Sequence, residues 1–250
     1  MPTTKPTVKA NEWELPLALI AFTRRFSLML DAGVALVRAL EILQTMPSPY
    51  GEASRRLRAS VERGETLHKA MTEHRDLFPP VYVGMIRAGE AGGVLEESVQ
   101  RLKKVLAREW DLAMRHPATE SPLFLVLPAG KSLPRNWTEM SEYQRTVTLS
   151  LFFETLGTLL QSGVPIVQAM RTVSDLLPTA SQDGWVRAIE LVHPRGELFS
   201  PEMLRMGVFP DFAVEMIRIG EESGSLDSMM HSLAESFEDD LDYQALRLAA

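Results

Sequence analysis

The chain repeats part of its own sequence after about 130 residues. The stretch LDAGVALVRALEIL at residues 30–43 matches LQSGVPIVQAMRTV at residues 160–173 at five of fourteen positions. The stretch FPPVYVGMIRAGEAGGVL at residues 78–95 returns as FPDFAVEMIRIGEESGSL at residues 209–226. A repeat of this length predicts two copies of one structural domain.

Apolar residues recur every three or four positions in both copies. The clearest stripes are Leu95, Val99, Leu102, Leu106, Trp110 and Ala113 in the first copy, and Leu226, Met230, Leu233, Phe237 and Leu241 in the second. These spacings place the side chains on one face of a helix, and no convincing alternation typical of a β-strand is present. The sequence therefore predicts an all-α fold of two tandem repeats of an antiparallel six-helix bundle.

Turn-forming residues set the expected domain boundaries. Residues 116–137 contain four prolines and separate the two copies, which is typical of a linker. We expect a first helical bundle at residues 15–115, a proline-rich linker at 116–140 and a second bundle at 141–250.

Eight residues recur in pairs at the predicted turns and are the candidate site residues: Gly33, Gly89, Glu90, Gly93, Gly163, Gly220, Glu221 and Gly224. Gly33 and Gly163 are expected to close the first helix of each copy in the left-handed conformation. Gly89 and Gly220 are expected to end a helix, and the glycine four residues later to precede the next helix, with positive φ at this turn. A phosphate-binding loop is the alternative, but helix caps are far more common.

A carboxylate follows this first glycine in both copies, as Glu90 and Glu221. The helix dipole disfavours an anion at a helix C-terminus, so its repetition indicates a role. Three roles remain open at this stage. The carboxylate accepts amide hydrogen bonds from the start of the next helix, pairs with Arg87 or Arg218 three residues earlier, or contacts a partner.

The sequence contains no pattern that predicts catalytic, cofactor-binding or metal-binding residues. It has no cysteine, and its five histidines lack the spacing of metal ligands. The GKS at residues 130–132 resembles the end of a phosphate-binding loop, but Leu125 replaces the required glycine and Pro134 interrupts the required helix. The acidic segment 235–243 is expected to be a solvated helix face, with a divalent-ion site as the alternative.

The two halves of the chain differ in charge. Residues 1–139 contain 19 lysines and arginines against 16 carboxylates, whereas residues 140–250 contain 7 against 17. The acidic total argues against nucleic-acid binding. The candidate charged faces are Arg55, Arg56 and Arg58 in the first copy, and Glu235, Glu238, Asp239 and Asp242 in the second. We expect these faces to meet different partners, or to meet each other across a homodimer.

No apolar run approaches the 18–20 residues of a membrane span, and the first residues lack the apolar core of a secretory signal. We therefore expect no direct membrane span in this chain.

Four short patterns occur in the same order in both copies: L-x-x-G-V-x-[LI]-V-x-A, then R-G-E, then F-P, and finally G-E-x-x-G-x-L. With them, each copy resembles the cytoplasmic F domain of type II secretion systems and of the type IV pilus platform protein. The resemblance covers residues 17–113 and 143–248. It implies that each copy is a six-helix bundle.

The resemblance also implies a function. Members of this family are non-enzymatic platforms in the inner membrane that contact the cytoplasmic assembly ATPase and other inner-membrane components. The implied location is cytoplasmic, or peripheral to the inner membrane, since the family's membrane spans are not predicted here. One alternative is a free-standing soluble adaptor or regulator that keeps the fold outside the machine. An enzyme of unknown type is disfavoured because no polar constellation repeats.

Overall fold

The computed structural model of the chain describes residues 14–115, 136–192 and 197–248. Within these ranges the regular secondary structure is helical and no β-strand is present, which confirms the predicted all-α class. Most of the predicted linker, residues 116–135, lies outside the described ranges, as does the Arg-Gly pair at 195–196.

The described residues form twelve α-helices. Those of the first copy are α1 (Glu14–Asp31), α2 (Leu36–Leu43), α3 (Tyr50–Glu62), α4 (Leu67–Thr72), α5 (Pro80–Gly92) and α6 (Leu95–Arg115). Those of the second copy are α7 (Glu142–Gln161), α8 (Ile166–Val173), α9 (Gln182–Val192), α10 (Ser200–Met206), α11 (Asp211–Ser223) and α12 (Leu226–Leu248). Short 3₁₀ helices occur at Trp137–Glu139, Ser174–Leu176 and Thr179–Ser181.

The order of helix lengths repeats along the chain. Helices α1 to α6 have 18, 8, 13, 6, 13 and 21 residues. Helices α7 to α12 have 20, 8, 11, 7, 13 and 23 residues. The two sequence copies therefore produce the same series of helices. Their arrangement as two separate six-helix bundles stays a prediction.

The chain packs into two compact units. Among the described residues, unit 1 contains residues 14–83, 99–115 and 245–248, and unit 2 contains Gly84–Ser98, 136–192 and 197–244. The boundaries fall inside α5 and α6, so the end of α5 and the start of α6 pack as part of unit 2. The predicted ranges 15–115 and 141–250 stay a prediction.

Aromatic side chains fill the core of unit 1. Neighbouring ring centroids lie 5.5–5.8 Å apart in a cluster of Phe22, Phe26, Tyr50, Phe78 and Tyr82. Both phenol groups have partners, since the Tyr50 hydroxyl donates to the Leu77 carbonyl at 2.9 Å and the Tyr82 hydroxyl lies 3.1 Å from Thr23 Oγ1. Burial raises the pKa of both tyrosines above their ordinary value, so they remain neutral in the folded core.

The core of unit 2 repeats one of these aromatic pairs. Phe22 and Phe78 lie 5.5 Å apart in unit 1, and their repeat counterparts Phe152 and Phe209 lie 5.3 Å apart in unit 2. Trp185 packs against Phe152 at 5.0 Å, and its indole N–H donates to the Met170 carbonyl at 2.8 Å. Each unit is thus centred on an aromatic residue of its first long helix.

The predicted apolar stripes are buried over most of their length. In α6 the fully buried members are Val99, Leu102 and Leu106, and in α12 the buried members are Met230, Leu233, Phe237 and Leu241. Leu95, Leu226 and Trp110 are only half-buried. The side chain of Ala113 lies outside the described part.

Candidate functional site

The candidate residues with the densest contacts lie where two helices meet at a tight turn, once in each copy. We call residues 89–95 the α5–α6 corner and residues 220–226 the α11–α12 corner. Gly93 and Gly224, in the turns, have φ of 70° and 72°. A side chain is strained in this conformation, so the positive φ favours glycine at both positions. The predicted left-handed turns at Gly33 and Gly163 are also present, with φ of 72° and 79°.

The prediction for Gly89 and Gly220 was wrong in one respect. Neither residue ends its helix or has positive φ, because α5 continues to Gly92 and α11 to Ser223. Their carbonyls instead accept the N–H of the residue five positions later, Val94 at 2.8 Å and Ser225 at 3.0 Å. This bond closes the helix C-terminus as in a Schellman motif.

The absence of a side chain at Gly89 and Gly220 allows the following helix to come close. A Cβ on Gly89 would lie 2.8 Å from the Cα of Leu95, and a Cβ on Gly220 would lie 3.0 Å from the Cα of Leu226. Both neighbours are the first residue of the next helix. The paired glycines therefore set the distance between the two helices of each corner.

The carboxylate of Glu221 binds the start of α10. Its Oε1 accepts the backbone N–H of Phe199 at 2.7 Å, and its Oε2 accepts that of Ser200 at 3.3 Å. The first amides of a helix have no partner within the helix, and the positive end of the dipole favours an anion there. Of the three roles left open, Glu221 thus performs the amide-acceptor role, but the donors belong to an earlier helix. Glu90, in the first copy, is half-buried.

Arg87 of α5 binds the last turn of α8 within unit 2. Its guanidinium donates to the carbonyl of Arg171 at 3.0 Å and to that of Thr172, and lies 2.9 Å from the carboxylate of Asp175. A cation at a helix C-terminus satisfies carbonyls that have no partner within the helix. Arg87 therefore holds α5 against the end of α8.

Two further glycines bring α5 close to this part of unit 2. A Cβ on Gly84 would lie 3.1 Å from Leu176 Cδ2, and a Cβ on Gly92 would lie 2.9 Å from Leu159 Cδ2. Neither Gly84 nor Gly92 is among the candidate site residues predicted from the sequence. The available signal was that neither glycine recurs in the second copy, which has Glu215 and Ser223 at these places.

The second copy uses the arginine differently. Arg218 binds carboxylates of its own helix, Glu215 at 2.6 Å and Glu222 at 2.8 Å, rather than Glu221. The hydrogen bonds that Arg218 donates, first to Glu215 and then to Glu222, raise the pKa of its guanidinium. Two arginines at the same place in the repeat thus have different surroundings.

The predicted charged faces are largely open to solvent. On α12, Glu235, Asp239 and Asp242 are exposed and Glu238 is half-buried. On α3, Arg55 and Arg56 are exposed, whereas Arg58 is half-buried and lies 3.0 Å from Glu62 and 3.7 Å from Glu41.

The described parts of the chain lack two other kinds of feature. No group of three or more histidine, aspartate or glutamate side chains there is placed to hold a metal ion. None of the helices in these ranges combines the length and the apolar character needed to cross a membrane.

The sequence matches a family described as "Type II secretion system (T2SS), protein F" over residues 22–127 and again over residues 152–250. It is 25% identical to the "Type IV pilus assembly protein PilC" of Myxococcus xanthus over 297 residues, a match that covers 90% of this chain and 71% of the relative. That span is longer than the chain's own 250 residues, so the relative has additional residues inside it.

Two other relatives give the same result. The chain is 27% identical to the "Type II secretion system protein F" of Xanthomonas campestris pv. campestris, with 88% of this chain and 73% of the relative covered. It is also 27% identical to the "Type IV pilus assembly protein PilC" of Thermus thermophilus, with 93% of this chain and 75% of the relative covered. The predicted family resemblance is confirmed. With both sequence copies matched and the helix series repeated, the chain belongs to the family of the type II secretion system protein F.

Proposed function

We propose that this chain is a non-enzymatic scaffold in a type II secretion or type IV pilus assembly machine. The observation that carries the proposal is the family match over both copies, at residues 22–127 and 152–250. The relatives named above are secretion-system or pilus-assembly proteins. The scaffold works by contact with the assembly ATPase and with inner-membrane components, on the cytoplasmic side and peripheral to the membrane.

Two charged residues, one beside the α5–α6 corner and one in the α11–α12 corner, support a structural role. Arg87 binds backbone carbonyls and Glu221 binds backbone amides, so both charged groups hold helices in place. Such ties, together with the close helix approach at the corners, give a firm support for surfaces that bind other proteins.

The exposed charges supply candidate contact surfaces. The acidic face of α12 (Glu235, Asp239 and Asp242) is open to solvent, and so are Arg55 and Arg56 of α3. Complementary charges mainly raise the rate of encounter and the specificity of binding. Anionic lipid repels acidic side chains, so we assign the acidic face to contact with the ATPase.

The proposal is tested with the purified chain and the purified assembly ATPase of the same cell. We expect the two to co-elute in size-exclusion chromatography with light scattering at about 50 mM salt, and to bind more weakly at about 500 mM salt because the charges are screened. Reversing two charges on α12 (Glu235→Lys with Asp239→Lys) should weaken binding. The matched control reverses two exposed acidic residues outside both candidate surfaces (Glu73→Lys with Glu190→Lys) and should leave binding unchanged.

The alternative of a free-standing adaptor makes a different prediction. In that case the ATPase elutes alone at both salt concentrations, and cells that lack the chain still secrete and assemble pili normally. This result would contradict the scaffold role.

A further inference from the structure

One helix face is covered in the first copy and open in the second. Met85 and Ala88 of α5 are each 1% exposed. Their repeat counterparts on α11, which lie 131 residues later, are Met216, which is half-buried, and Ile219, which is 48% exposed. Phe212, one turn before Met216, extends this apolar stripe; its ring centroid lies 5.7 Å from that of Phe237, and the side chain stays 49% exposed. We call Phe212, Met216 and Ile219 the projecting face.

The surface that receives the α5 face is known, because it lies in unit 2. Thr155 of α7 donates to the Met85 sulfur at 3.1 Å, the carbonyl of Thr172 accepts from Arg87, and Leu159 lies beside Gly92. All three receiving residues, Thr155, Leu159 and Thr172, are at most 7% exposed. The receiving surface is thus the outer side of α7 and the last turn of α8.

The counterpart of this receiving surface is open in the first copy. The residues 130 positions earlier are Arg25 and Met29 of α1 and Ile42 of α2. Arg25 is exposed, Met29 is half-buried and Ile42 is 42% exposed. We call Arg25, Met29 and Ile42 the receiving face. Among the described residues, each chain therefore has one such contact formed internally, and one projecting face and one receiving face that are partly open.

We propose that the chain associates head to tail, with the projecting face of one molecule packed on the receiving face of a second copy. Two different surfaces meet in such a contact, so it is heterologous and forms a ring or an open chain. The inference goes beyond the proposed function and is independent of it, because it depends on the sequence repeat and on the burial of its two copies.

The charges around the two faces are complementary. Glu215 stands on α11 where α5 has Gly84, and Arg25 stands on α1 where α7 has Thr155. Both charged residues are exposed, and Glu215 also pairs with Arg218 of its own helix. The substitutions place a carboxylate on the projecting side and a guanidinium on the receiving side, which favours encounter between the two.

The contact proposed between molecules is less close than the internal contact. Glu215 and Ser223 add side chains where Gly84 and Gly92 approach their neighbours to about 3 Å. Met29 replaces Leu159 on the opposite side, and its flexible side chain can adapt to this change. The second contact is therefore wider than the first and more strongly charged.

The first experiment measures the mass of the full chain by light scattering as its concentration is raised at low salt. The mass should increase for the native chain. Ile219→Asp on the projecting face, or Ile42→Asp on the receiving face, should weaken association about tenfold or more, because a charge replaces an apolar residue at the contact. Thermal unfolding of each variant checks that it is folded.

Mixing these two variants separates a head-to-tail contact from a symmetric one. The Ile219→Asp chain keeps its receiving face and the Ile42→Asp chain keeps its projecting face. The mixture should therefore form a one-to-one dimer and nothing larger. If the contact were symmetric, the same two variants would not pair.

Charge reversal supplies the second experiment. Glu215→Arg alone and Arg25→Glu alone should each weaken association, and the two changes in one chain should restore it, because every contact then pairs opposite charges again. The matched controls, Arg75→Glu and Glu190→Lys, lie on exposed parts of the chain outside all the faces named above and should leave association unchanged.

Three results would overturn the proposal: a monomer at every concentration, no pairing in the mixture, or loss of association in the controls but not in the Ile219 and Ile42 variants. Failure to bind the ATPase would not affect it, so the two proposals are tested separately.

Discussion

Replacing Gly89 with alanine tests the closest helix approach in the α5–α6 corner. The new Cβ would lie 2.8 Å from the Cα of Leu95 and 2.9 Å from the Cβ of Ser98. Leu95 contributes a backbone atom, so a side-chain rotation cannot relieve the contact and α6 must move. Such overpacking costs about 1–3 kcal/mol. Alanine also favours the helix interior by up to about 1 kcal/mol relative to glycine, in the opposite direction.

The expected net loss for Gly89→Ala is about 1–2 kcal/mol in the free energy of unfolding. In a chain of this length it corresponds to a fall in Tm of roughly 2–8 °C, measured by scanning calorimetry. Gly220→Ala should cost less, because its Cβ would meet Leu226 Cα and the flexible Met229 Cγ, both at 3.0 Å.

An exposed residue in the same turn of α5 provides the control. Ala91→Gly removes helix propensity without a packing change and should lower the stability by up to about 1 kcal/mol. A higher Tm for Gly89→Ala would refute the reasoning, because it would show that propensity acts alone and that α6 does not approach the glycine closely.

Three further predictions follow from the contacts described above. Arg87→Lys should cost about 1–2 kcal/mol, because Arg87 binds the carbonyls through one guanidinium nitrogen and Asp175 through another, whereas a lysine has a single nitrogen. Arg218→Lys at the exposed counterpart should change the stability by less than about 0.5 kcal/mol, and equal shifts in Tm would contradict this difference. Gly93→Val and Gly224→Val should each lower the stability by about 1–2 kcal/mol or more, since both positions have positive φ, and unchanged melting would show that the turns do not need glycine. Burial raises the pKa of Tyr82 in the folded chain, so its stabilisation is complete below about pH 10 and is lost above it, at about 1.4 kcal/mol per pH unit, as the unfolded chain ionises. Urea unfolding between about pH 9 and pH 11 should therefore show a shallower decline for Tyr82→Phe than for the native chain, and parallel declines would contradict the assignment.

Much of the fold could be predicted because burial follows a helical period. The stripe from Val99 to Leu106, and its counterpart on α12, faces the core as the spacing indicates. The left-handed turns at Gly93 and Gly224 were also predictable, since only glycine adopts that conformation without strain. The predicted ends of α5 and α11 lie three residues before the observed ends. The residues that follow Gly89 and Gly220 are compatible with a further helical turn, so the helices continue.

The contacts of the site were less predictable, because identical residues have different neighbours in the two copies. Arg87 and Arg218 stand in the same local sequence, yet one binds the end of α8 and the other binds its own helix. Tertiary packing decides between these outcomes. One sequence difference between the copies does indicate this outcome: the first copy has Gly84 where the second has Glu215. Only the glycine allows another helix to approach closely.

The contact between Arg87 and α8 also has a consequence for the timing of folding during synthesis. Arg87 and Thr172 are 85 residues apart in the chain. At a synthesis rate of about 5–20 residues per second, Thr172 is made roughly 4–17 s after Arg87. For that interval Met85 and Ala88, which are buried in the finished protein, have no surface to pack against in unit 2. The nascent chain therefore passes through a stage of several seconds in which the apolar face at the end of α5 is open to chaperones.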